Sequence, residues 1–118
     1  MAAIEIANVV HAMGALFLGT TQPFTREVRI NGFVAGSLLR SAEGIFTIGL
    51  IEKLDAATSG GLCLITPGAG TARFISAQLQ PDIPGEPNNN VLISAYDNAG
   101  DPADIGEVFL TILRFPNG

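Results

Sequence analysis

The sequence has no tryptophan, one tyrosine, one cysteine and one histidine, and only six lysines and arginines against eleven acidic residues. Each shortage excludes something. A lone cysteine, Cys63, rules out an intrachain disulfide, so the core has to hold the fold. Six basic residues scattered along a chain of net charge −5 cannot make the clustered positive surface that phosphate binding needs, which argues against a nucleic-acid partner. With one histidine, a Ser–His–Asp arrangement built on Ser37, Ser41, Ser59, Ser76 or Ser94 would have to use His11, which lies in an apolar run. Cys63 in GLCLIT reads as a small core residue rather than a nucleophile, because no base is placed beside it. No stretch reaches the roughly 18 apolar residues of a membrane helix, so no membrane partner is expected. The opening MAAIEIANVVHAMGALFLG carries Glu5 and no early Lys or Arg, so it lacks a signal peptide's charged start and reads as part of the fold.

What is present is apolar and punctuated. Apolar residues make up 47% of 118 and charged residues 14%, enough for one domain with a real core. Fourteen glycines and seven prolines, with few helix formers in runs, predict short strands joined by tight turns. So few charges on so apolar a chain suggest that part of its surface is covered, most simply by other copies.

The pattern predicts about eight strands. Residues 9–18 are apolar or small throughout, like a strand buried on both faces. Residues 24–30 alternate, with Phe24, Arg26, Val28 and Ile30 on one face. Asn31-Gly32 predicts a two-residue hairpin turn into a strand over 33–40. After the turn 41–44, residues 45–52 form a strand with Phe46, Ile48 and Leu50 on one face. Residues 53–61 read as a loop with room for a helical turn, and 62–66 and 72–79 as strands around PGAG. The three prolines of 80–90 exclude a central strand there. Strands at 91–96 and 107–115 close an all-β antiparallel sandwich of jelly-roll type. Phe109 and Leu113 are expected to face the core beside Phe46.

Three stretches invite functional readings. DNAGDPADIGE holds Asp97, Asn98, Asp101, Asp104 and Glu107 at spacings that resemble oxygen ligands for a hard cation, yet it lacks the pattern of a calcium loop. Each residue also has a local use: Asn98 and Gly100 suit positive φ, Asp97 and Asp101 can accept from turn N–H groups, and Pro102 fixes a corner. The corner is therefore expected to form a turn and bind no metal. TPGAGTAR lacks the Lys-Ser/Thr of a phosphate loop and a following helix, so no nucleotide cofactor is expected. The amides of Asn88–Asn90 could meet sugar hydroxyls, but a chain with no tryptophan and one tyrosine nearly lacks the usual aromatic platform.

From HAMGALFL to the last strand, residues 9–115 resemble a small β domain of tailed-bacteriophage virion proteins. The resemblance lies in Gly44-Ile45-Phe46-Thr47-Ile48, in the Tyr96-Asp97, Gly100 and Asp104 corner, and in the closing strand from Phe109 to Phe115. It implies a jelly-roll-like sandwich, usually trimeric and without enzymatic activity, found at tail-fibre tips or as a free-standing virion protein. No fibrous shaft precedes the domain, which favours a trimeric capsid decoration (cement) protein on the virion surface, with the major capsid protein as partner. The rival is a receptor-binding module whose loops 80–90 and 97–106 recognise host glycans.

Residues 1–8 lie outside the resemblance. They are expected to form an arm in which Met1, Ala2, Ala3, Ile4, Glu5 and Ile6 reach the capsid or a neighbouring subunit. The strand at 9–18 is expected near the trimer interface. Alternation there leaves two sets open: His11, Met13 and Phe17, the set preferred here, or Val10, Leu16 and Leu18.

Overall fold

The computed structural model describes residues 10–18, 26–54, 59–67, 74–104 and 106–116, and the arm proposed for Met1–Ile6 lies outside them. Eight strands follow in order: β1 (Val10–Phe17), β2 (Arg26–Asn31), β3 (Leu39–Ala42), β4 (Ile45–Leu54), β5 (Ser59–Pro67), β6 (Phe74–Gln80), β7 (Asn88–Tyr96) and β8 (Glu107–Pro116). They form two four-stranded antiparallel sheets, β2-β1-β8-β5 and β3-β4-β7-β6. The chain changes sheet after β2, β4, β5 and β7, which gives the jelly-roll-like sandwich that the strand spacing predicts. The described residues include no helix.

The core lies between the sheets. Phe46, Ile48 and Leu50 of β4 point into it, as expected, beside Val91, Ile93 and Ala95 of β7. In both strands, alternation places the large apolar residues on one face. From the other sheet come Ala12 and Leu16 of β1, Leu18 beyond it, and Val108, Leu110 and Ile112 of β8.

Two expectations of face are overturned. β8 turns Val108, Leu110 and Ile112 inward, which leaves Phe109 46% exposed and puts Leu113 on the outer face. Both parities of β8 are apolar, so alternation alone could not choose between them. β1 is not buried on both faces, since Ala12 and Leu16 are enclosed while Met13 is 50% exposed.

In β2, Ala15 pairs with Arg29 while Leu16 pairs with Glu27, which makes Val28 the extra residue of a β-bulge. Val28 is therefore exposed while Ile30 packs on the core, and the shared face expected for them does not exist. Phe24 lies outside the described residues.

Asn31-Gly32 does not make a hairpin. Only Gly32 has a positive φ, 89°, and β2 pairs with no strand after it. Gly32 instead turns the chain from one sheet to the other. A Cβ there would stand 2.7 Å from the carbonyl oxygen of His11, so glycine is required by contact as well as by φ. Phe33 then meets Leu50 in an isolated bridge, and Val34 N donates to Gly49 O at 2.8 Å. No strand runs over 33–38. The Glu27 carboxylate accepts from Gly36 N and Leu38 N at 2.8 and 2.9 Å and holds that crossing as a loop.

Two further boundaries differ from expectation. β4 continues to Leu54 and β5 begins at Ser59, so much of the expected 53–61 loop is strand, and residues 55–58 lie outside the described set. Asn88–Asn90 open β7, which sits between β4 and β6, so the prolines of 80–87 end just before a central strand begins.

Candidate functional site

Antiparallel register assembles the outer face of the β2-β1-β8-β5 sheet row by row. Met13 stands between Asn31 of β2 and Thr111 of β8, and Thr111 stands opposite Leu64 of β5. In the next row Arg29, Ala15, Phe109 and Thr66 follow one another across the four strands. Leu62 pairs with Leu113 beside them. Met13, Leu62, Leu64 and Phe109 are each about half exposed. Between Met13, Ala15, Arg29, Asn31, Phe109 and Thr111 lies an open hollow of about 520 Å³. The face is aliphatic and aromatic at its centre, with Arg29 at its rim.

Of the two sets left open on β1, Leu16 and Leu18 belong to the core while Val10 pairs with the outer-face Leu113, and a bulge between Val10 and Ala12 breaks the alternation that would set His11 with Met13 and Phe17. These three do not act alike. Met13 sits at the centre of the apolar face. Phe17 lies towards Gly106, paired in register with Glu107. His11 is drawn away, its Nε2–H donating to the Glu52 carbonyl of β4 at 2.7 Å. That bond links the two sheets and places the ring proton on Nε2. Sequence reasoning missed Leu62, Leu64 and Phe109 as partners of Met13, because cross-strand neighbours follow from pairing that no local pattern reveals.

The acidic corner is a structural joint. Asp97 Oδ1 accepts from Ala99 N and Asp101 N at 2.8 and 3.1 Å, as an Asx turn does. Asp97 N donates to Asp101 O, and Ala103 N to Ala95 O. Gly100 has φ 87°, whereas Asn98 is not at positive φ, contrary to expectation. Asp104 leaves the turn and meets Arg40 of β3 (Nε–Oδ1 3.0 Å, Nη2–Oδ2 2.9 Å) while accepting from Gly44 N at 2.9 Å. These bonds, chiefly, push the Arg40 pKa above its already high ordinary value. Among the described residues, no group of three or more His, Cys, Asp or Glu side chains is placed to hold a metal.

The other sequence candidates are dispersed. Asn89 and Asn90 spend their amides on Asp82: both donate to its carboxylate, and Asn89 Oδ1 accepts from Asp82 N at 2.8 Å. They therefore form an internal clamp rather than an open edge for sugar. Ser37 Oγ donates to Val34 O and accepts from Gly49 N. Ser41 bonds the Ile45 carbonyl. Cys63 is half-buried where β5 approaches β6, in a gap of about 380 Å³ that also touches Gly61, Ala77 and Leu79. Burial pushes its thiol pKa up, the direction of a packing residue rather than a nucleophile. Residues 68–73 of the glycine-rich stretch lie outside the described residues.

No described helix is long and apolar enough to cross a membrane. Comparison with protein-family models, with curated proteins and with solved structures finds no match.

Proposed function

We propose that this chain is a non-enzymatic structural protein that assembles through the outer face of the β2-β1-β8-β5 sheet. In its specific form, it is a homotrimeric capsid decoration protein that binds the major capsid protein on a tailed-phage head. The observation that carries the reading is the contiguous exposure of Met13, Leu62, Leu64 and Phe109 across three neighbouring strands. Large side chains left half in water on one flat face mark an interaction surface. At about 25 cal/mol per Å² of apolar surface buried, a few hundred Å² per subunit offsets a meaningful part of the association cost. The trimer and the capsid come from the sequence resemblance. On a shell, three linked subunits convert weak contacts into firm attachment through avidity. Met1, Ala2, Ala3, Ile4, Glu5 and Ile6 are proposed as the arm that reaches the shell.

Light scattering of the unmodified protein at micromolar concentration should give the trimer mass, and Met13→Asp should lower it. Burying an unpaired carboxylate at the face is unfavourable by several kcal/mol. Co-sedimentation with expanded empty capsids should fall with the mass. A stable, folded monomer that still decorates capsids ends the proposal.

A further inference from the structure

The outer face of the other sheet has a different chemistry. β6 turns Phe74, Ser76 and Gln78 outward, and β7 turns Leu92, Ser94 and Tyr96 outward, because Ile75, Ala77 and Leu79 pack on the core and Val91, Ile93 and Ala95 are buried. Register then sets Phe74 directly opposite Tyr96, Ser76 opposite Ser94, and Gln78 opposite Leu92. β4 extends the rows with Ile45 beside Ser94 and Thr47 beside Leu92. The two rings, 58% and 37% exposed, form an aromatic strip followed by a row of Ser76, Ser94 and Ile45 and then by one of Gln78, Leu92, Thr47 and the exposed Leu39. These rows carry no charged side chain. Asp97, which follows Tyr96 in the chain, turns an oxygen into its own loop.

We infer that this face binds a neutral oligosaccharide. Cross-strand rings lie side by side about 5 Å apart at Cβ, and the serine row follows about 7 Å along the strands. A pyranose can lay its C–H face on the Phe74–Tyr96 strip while its hydroxyls meet Ser76 and Ser94, and the next sugar along the strands meets Gln78 and Thr47. Serine and threonine hydroxyls both donate and accept, and so do sugar hydroxyls, so neither side is left unpaired. A second protein copy could match these hydroxyls only where its own polar groups fell in register with them, whereas a sugar carries a hydroxyl on most of its ring carbons. A phosphate-bearing ligand would find no cation in these rows. The single tyrosine that makes an aromatic platform look scarce in the sequence is placed by the fold beside a phenylalanine 22 positions away.

The chain has one tyrosine and no tryptophan, so tyrosine emission reports Tyr96 alone. The unmodified protein would be titrated with maltotriose, cellotriose and chitotriose up to roughly 10 mM, a range that captures weak binding. At least one should change the emission saturably and show saturation transfer from protein to sugar-ring protons. Phe74→Ala should weaken that binding by about tenfold or more, with Tm unchanged because the ring is exposed. Three results overturn the inference: no response to any of the three sugars, binding that Phe74→Ala leaves intact, or a change in particle mass with Phe74→Ala. The last would identify the face as a contact between copies. Mass and sugar binding are separate readouts, so failure here leaves the assembly proposal standing.

Discussion

Arg40 and Asp104 stand 64 positions apart and meet through two parallel N–H···O bonds, at 3.0 and 2.9 Å. The Asp104 side chain is almost fully buried, and it also accepts from Gly44 N in the β3–β4 turn. One carboxylate therefore ties the hairpin of one sheet to the connection that leads into β8 of the other. Asp104→Ala removes the acceptor from both donors and should cost about 1–3 kcal/mol. Urea titration measures it. Asp104→Asn keeps an acceptor for Gly44 and should lose less. Equal losses would mean that the Gly44 bond contributes nothing.

The same corner predicts indifference to calcium. With Asp97 and Asp104 occupied by backbone and guanidinium, millimolar calcium should leave Tm unchanged, because only a cation that binds the folded state raises it. A rise of several degrees that a chelator reverses would show a site that these bonds do not predict.

Phe46 is fully enclosed. Phe46→Ala should destabilise by about 3–5 kcal/mol in denaturant titration. Phe109→Ala, on the outer face, should cost far less in a monomeric state and more where assembly covers it. A large loss for Phe109 at concentrations that give monomer would contradict the observed parity of β8.

Cys63 gives a pH prediction. Its folded pKa is raised by burial, so the neutral thiol is favoured in the folded state. Stability should be complete below the unfolded thiol value, about 8.5, and should fall as pH climbs through the higher folded value. Cys63→Ala should abolish that part of the alkaline decline, as thermal melts between neutral and alkaline pH would record. Thiol-reactive reagents should also modify Cys63 more slowly than free cysteine at mildly alkaline pH.

The fold class was legible in the sequence because two of its strands are unambiguous. In β4 and β7, large apolar residues occupy one parity, Phe46-Ile48-Leu50 and Val91-Ile93-Ala95, and smaller or polar residues such as Thr47, Gly49 and Ser94 occupy much of the other. Period-two geometry converts that difference directly into an inner and an outer face. The turn role of Asp97 was equally local, since its partners lie two and four positions away. Residue type also placed Gly32 and Gly100 at irregular backbone, though at Gly32 the hairpin it suggested is a crossing between sheets.

Only the tertiary structure decided what depends on pairing at a distance. β1 and β8 are apolar on both parities, so the inward choice of Leu16 and Val108 over Met13 and Phe109 was made by the fit between the sheets. The salt bridge of Asp104, the apolar outer face and the Phe74–Tyr96 strip each join residues whose separation carries no periodic signal. Alternation specifies which residues of a strand share a face. It contains no information on which strand lies alongside, and that neighbour determines whether the face becomes core, interface or binding surface.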